Sequence, residues 1–188
     1  TNENGLSVSA ENVEEVYDSN AYGVSAVANL SGATIKYWNS ETNAYDLDAS
    51  PTWTNVTNGA QEVKFEASLY GYQSVQGSAT VTITKRPVTI TAADSSKVYG
   101  NADPAFANAA MSGHVEGELS DLSLVVSRSD AGDDTLGQHD NVLSISKTAS
   151  ELEAEYTNYT FTVNPADFTI TTNENGLSVS AENVEEVY

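Results

Sequence analysis

Residues 78–92 read SATVTITKRPVTITA, and this stretch decides the fold. Val81 and Ile83 alternate with Thr80, Thr82 and Thr84, and Val88 and Ile90 alternate with Thr89 and Thr91. Successive side chains on a strand point to opposite faces, so each run has an apolar face and a hydroxyl face. Lys85-Arg86-Pro87 forms a short hinge between the runs. Pro87 fixes its own φ and biases Arg86 to an extended conformation. Residues 166–181, ADFTITTNENGLSVSA, repeat the plan of strand, polar hinge and strand, with Thr172-Asn173-Glu174-Asn175-Gly176 as the hinge.

The same alternation extends outward on both sides. Glu62-Val63-Lys64-Phe65-Glu66-Ala67 and Thr34-Ile35-Lys36-Tyr37 read as strands in the first half. Tyr159-Thr160-Phe161-Thr162-Val163 and Phe168-Thr169-Ile170-Thr171 do so in the second. Leu122-Ser123-Leu124-Val125-Val126 and Val142-Leu143-Ser144-Ile145 are rougher versions. Residues 149–155, ASELEAE, predict a turn or two of helix, too short to be stable alone. Strands with one polar and one apolar face fit antiparallel sheets solvated on one side, and two such sheets make a sandwich.

Residues 1–17 read TNENGLSVSAENVEEVY, and residues 172–188 read the same, an offset of 171 residues. Self-similarity at a fixed period is the mark of a repeat protein. A fainter repeat lies inside it: a tyrosine turn follows each second strand, at Val16-Tyr17-Asp18-Ser19-Asn20 and at Val98-Tyr99-Gly100-Asn101. The expected organisation is all-β, with two tandem β-sandwich-like (Ig-like) modules of ~80–90 residues arranged end to end. The first spans residues 1–86 and the second 87–171. Residues 172–188 then form the first strand of the next copy. That orphan strand is expected to be disordered or to seek a sheet edge.

Composition narrows the function. The 188 residues hold 27 acidic and 7 basic side chains, for a net charge of -20. Nucleic acid needs a basic stripe to displace counterions, and an anionic membrane surface needs one too. Neither partner fits. Cysteine is absent, which removes disulfides and thiolate metal sites. No apolar run reaches the ~18 residues of a membrane helix. With no starting Met or signal peptide, the chain is expected to be an excerpt of something longer.

Lys97-Val98-Tyr99-Gly100-Asn101-Ala102-Asp103-Pro104-Ala105-Phe106, then Arg128, Gly132 and Gly137, then Asn158-Tyr159-Thr160 and Phe168-Thr169-Ile170, resemble the MBG-type repeat. That is a β-rich module of large bacterial surface proteins and adhesins. The first module resembles a related Ig-like surface repeat through Val16-Tyr17-Asp18, Pro51-Thr52-Trp53 and Gly71-Tyr72. The resemblance implies an extracellular, cell-wall-associated stalk with no catalytic residues. One departure stands out: where the family loop leads to an aromatic residue, Gly137 here precedes Gln138-His139-Asp140-Asn141.

Several clusters are candidate sites. Asp130, Asp133 and Asp134 read first as a solvated turn between strands, and their carboxylates also suit a Ca²⁺ ion, though not in EF-hand spacing. His114 and His139 read as surface residues in turns. No Gly-x-Ser-x-Gly elbow accompanies them, and no enzyme is expected. Trp38 follows Tyr37 on a strand, so one of the pair faces out. Trp38 and Tyr45 are the candidate ligand contacts, suited to stacking on a sugar ring or anchoring a protein. Trp53, Tyr70 and Tyr72 read as core or sheet-edge packing. Lys36, Lys64 and Lys97 sit on or near strands, where a lysine–asparagine crosslink needs an apolar, acid-assisted core. Alternation places Lys36 and Lys64 outside. The expected role is a spacer that projects a binding region, with neighbouring repeats as partners. The competing role is a repeated weak binding module for host glycan or matrix.

Overall fold

The computed structural model describes residues 5–174 and 178–181. Among the described residues its regular elements are sixteen strands and one short helix. The expected strand of the next copy falls largely on residues 175–177 and 182–188, which lie outside the described residues. Residues 172–174 and 178–181 are in neither strand nor helix.

In the first half, β1 (Val8–Ser9), β2 (Val13–Val16), β3 (Tyr22–Gly23) and β4 (Val27–Ala28) are short. They are followed by β5 (Thr34–Asn39), β6 (Ala44–Leu47), β7 (Thr52–Trp53), β8 (Gln61–Ser68) and β9 (Val75–Thr84). One sheet has the order β2-β9-β8-β5-β6, with β2 parallel to β9 and the other pairs antiparallel. Two small ladders, β1-β4 and β3-β7, complete the set. The apolar face of the large sheet carries Val63, Phe65, Ala67, Ala79, Val81 and Ile83, all buried. Their neighbours Glu62, Lys64 and Thr84 are exposed, as alternation demands. Phe65 pairs in register with Gly77, where an added Cβ would stand 2.6 Å from its ring. The missing side chain makes room for the ring across the strand.

The second half holds β10 (Arg86–Thr91), β11 (Ser95–Val98), β12 (Ala110–Ser112), β13 (Val126–Arg128) and β14 (Gly137–Ile145). Helix α1 (Ala149–Glu155), β15 (Tyr159–Asn164) and β16 (Ala166–Thr171) follow. The sheets are β11-β16-β14-β13 and β12-β10-β15. The core includes Leu143, Phe168 and Ile170. Leu152 is fully buried, so α1 is held by packing rather than by length.

By contacts the chain divides into two compact units that do not follow chain order. One comprises residues 1–88, 113–120 and 149–162. The other comprises residues 89–112, 121–148 and 163–188.

Three expectations of local structure change. Strand begins at Arg86, so only Lys85 separates β9 from β10, and the anticipated hinge is one residue long. Pro87 is already extended, and Arg86 donates its N–H to the Asn158 carbonyl at 3.0 Å. Leu122–Val125 are not strand, and pairing starts only at Val126. Leu119 lies just before them at a positive φ of 59°, a turn conformation rather than an extended one. The departure after Gly137 is a bulge: the register of β14 on β16 shifts between His139 and Leu143. Asn141 there has a φ of 58° and donates its N–H to Asp167.

Candidate functional site

Two arrangements repeat across the halves. In the first, Val16 is in register with Thr84, and the Tyr17 N–H donates to the Thr84 carbonyl at 2.9 Å. The Thr84 hydroxyl donates back to the Glu15 carbonyl at 3.1 Å. In the second, Val98 is in register with Thr171, Tyr99 N–H donates to the Thr171 carbonyl at 2.8 Å, and the Thr171 hydroxyl donates to the Lys97 carbonyl at 3.3 Å. The faint sequence repeat is therefore a repeated backbone joint. Sequence could show the two tyrosines. It could not show that each closes a parallel pair with a strand about 70 residues away.

Around Tyr17 this joint is filled. Its ring meets Tyr159 edge-on, with centroids 5.5 Å apart. The Tyr17 and Tyr159 hydroxyls donate to the two oxygens of Glu118, at 2.9 and 2.5 Å. Burial, then the Glu118 carboxylate, push the Tyr159 phenol up to about 12 and raise Tyr17 as well. Arg86 donates from Nε to the Gly113 carbonyl and from Nη1 to the Tyr17 carbonyl. Asn158 accepts from the Val56 N–H and donates to Asn55. The sequence motifs give no sign of Glu118, which sits in a loop without periodicity.

The acidic stretch folds into an ion network. Arg128, with a side chain only 1% exposed, donates from Nε to Asp130 at 2.6 Å and from Nη1 to Asp103 at 3.2 Å. Its guanidinium lies 4.4 Å over the Phe168 ring. Lys97 bridges Asp103 at 2.7 Å and Asp134 at 2.5 Å. Hydrogen bonds from these cations, Lys97 to Asp103 and Arg128 to Asp130, hold both carboxyls below the usual carboxylate range. His139 is not the exposed turn residue expected. It lies on β14, with Nδ1 2.5 Å from Asp130 and Nε2 2.8 Å from the Thr135 carbonyl. The Thr135 carbonyl first, then Asp130, raise its pKa above the usual 6.5. Both neighbours are acceptors, an arrangement that favours a proton on each ring nitrogen.

The candidate Ca²⁺ ligands are thus divided. Asp130 and Asp133 come together with His139, their ligating atoms within 4.8 Å. Asp134 turns to Lys97 instead. A metal ligand must offer a lone pair, and here both His139 nitrogens point at acceptors. Asp130 already accepts from Arg128 with both oxygens. The arrangement is a network of ion pairs and hydrogen bonds.

Trp38 and Tyr45 are brought together. They are in register across β5 and β6, with ring centroids 5.1 Å apart and both rings part-exposed. Tyr37, on the opposite face, is buried and donates its hydroxyl to the Val24 carbonyl. Tyr70 is fully exposed and Tyr72 is 36% exposed, so neither is core. Lys36 pairs with Asp48, Lys64 with Glu62 and Lys97 with Asp103 and Asp134.

The strands, the repeated joint and the buried arginine network define a β-rich fold. The family model of the MBG domain (YGX type) matches residues 88–169, the stretch whose motifs resemble that repeat. The residues that carried the resemblance, Lys97, Asp103, Arg128 and Phe168, are the ones that build the ion network. No curated protein matches the chain.

Proposed function

We propose that this chain is a structural repeat of a bacterial cell-surface adhesin. It acts as a stalk, of sandwich-like modules strung end to end, that carries a binding region away from the cell wall. The observation that carries this reading is the seventeen-residue identity of residues 1–17 and 172–188, 171 positions apart, around an MBG domain. Threonine and charged faces turned outward support it, as does the large negative charge, which favours solubility and mutual repulsion. The reading includes no catalysis: His139 is held at both nitrogens, and the Asp130 beside it is bound to an arginine. Among the described residues, no helix is long and apolar enough to cross a membrane.

Antibodies against the chain test the location. On intact cells of the source organism they are expected to place gold label outside the wall, and surface proteolysis is expected to remove it. Label seen only after permeabilisation contradicts the stalk.

The part-exposed Trp38–Tyr45 pair favours a second reading, a weak repeated contact for glycan or matrix. A glycan array with the wild type and Trp38→Ala separates the two. Binding lost in the variant supports a contact at this pair, and no binding by either leaves the spacer alone.

A further inference from the structure

The two tyrosine joints share a backbone and differ in their cover. Tyr17 is 5% exposed beneath Tyr159, whereas Tyr99 is 51% exposed. The covering residue has a counterpart too. Twelve residues before Thr171 stands Tyr159, and twelve residues before Thr84 stands Tyr72. The count aligns Gly71-Tyr72 with Asn158-Tyr159, although Tyr159 is the first residue of β15 and Tyr72 lies in the turn before β9. Tyr72 remains 36% exposed, with Tyr70 fully exposed nearby. Each half thus presents a tyrosine at the end of its parallel strand and another twelve residues before the end of its last strand. Of these, Tyr17 and Tyr159 meet among the described residues.

The segment that follows Thr171 repeats residues 1–17, and on the tandem-stalk reading it opens a second copy of the half bearing Tyr72. We propose that Tyr99 of one copy packs against Tyr72 of the copy that follows, making a tyrosine joint of the same kind as Tyr17 with Tyr159. The partner of this exposed patch is a second copy of this chain, engaged head to tail. The new joint lacks one component. Glu118 comes from the loop after β12, but the corresponding turn after β4, Leu30-Ser31-Gly32-Ala33, has no carboxylate. Its hydroxyls face solvent, and the joint holds by ring packing, so it opens more readily than the first.

The inference rests on the tandem-stalk reading and deepens it. Its test compares the 188-residue chain with the same chain continued after Tyr188 by residues 18–171 of a second copy. Both are treated with tetranitromethane and the tyrosine peptides are read by mass spectrometry. In the single chain Tyr99 and Tyr72 are expected to react and Tyr17 to be protected. In the longer chain Tyr99 of the first copy and Tyr72 of the second are expected to lose reactivity, while Tyr70 keeps it. Tyr72→Ala in the second copy alone is expected to restore the reactivity of Tyr99 in the first. Equal Tyr99 reactivity in both chains overturns the proposal, as does protection that survives Tyr72→Ala. Neither result touches the surface-labelling test, so the joint can fail while the stalk stands.

Discussion

Tyr17 and Tyr159 lie 142 residues apart in sequence, yet their rings meet edge-on at 5.5 Å and their hydroxyls share the Glu118 carboxylate. One acidic side chain from an irregular loop therefore holds two phenols. Glu118→Leu leaves both hydroxyls without their acceptor in a part-buried setting. The expected cost is about 1–3 kcal/mol, the usual penalty for an unsatisfied polar group. Chemical denaturation with Tyr17 fluorescence reads it.

The raised phenol pKa values set the alkaline limit. A group whose folded pKa is raised contributes stability that is complete below the unfolded value and is lost as pH rises through the folded one. For Tyr159 the window runs from 10.0 to about 12. Stability is expected to fall across it, and the fall is expected to be shallower in Tyr159→Phe. An unchanged alkaline limb in Tyr159→Phe contradicts this.

Arg128 is buried against Phe168 and bound to Asp103 and Asp130. Arg128→Ala removes the cation that Asp103 and Asp130 share. Breaking a buried pair by losing one partner costs about 3–5 kcal/mol. Thermal unfolding is expected to show the loss, and adding Ca²⁺ is not expected to restore it.

His139 gives the acidic side of neutrality a signature. Its pKa is raised from 6.5, so its contribution is complete below that value and is lost as pH rises through the folded pKa. Asp103, Asp130 and Asp133 have lowered values and act in the opposite sense, losing their contribution as pH falls below the ordinary carboxylate range. The melting temperature is expected to be higher in mildly acidic buffer than above neutrality. His139→Gln is expected to flatten that slope.

Gly77 lies under the Phe65 ring, with no room for a Cβ. Gly77→Ala is expected to cost about 1–3 kcal/mol through overpacking. Phe65→Leu in the same chain is expected to recover part of it.

Much of the fold was legible because alternation is local. Val81, Ile83, Val88 and Ile90 were readable as one face each of two strands, and all are buried. The residues of the MBG motif were legible as a pattern but not as a network. Asp130, Asp133 and Asp134 looked like loose carboxylates because their cations, Lys97 and Arg128, arrive from other strands. His139 looked exposed because nothing local shows that the bulge on β14 turns it towards Asp130. Trp38 and Tyr45 were legible as candidates, since a strand puts neighbours on opposite faces. Their contact depended on the β5–β6 register, which sequence does not specify. Tyr70 and Tyr72 read as core or sheet-edge packing, and the turn that begins at Leu69 leaves them outside the core.

The stalk itself is tested most directly by small-angle scattering on chains of one, two and four successive copies. A stalk predicts a maximum dimension that grows in proportion to copy number. Copies that collapse on one another would instead give a radius of gyration rising as about the 0.38 power of residue number, and that result would contradict the account.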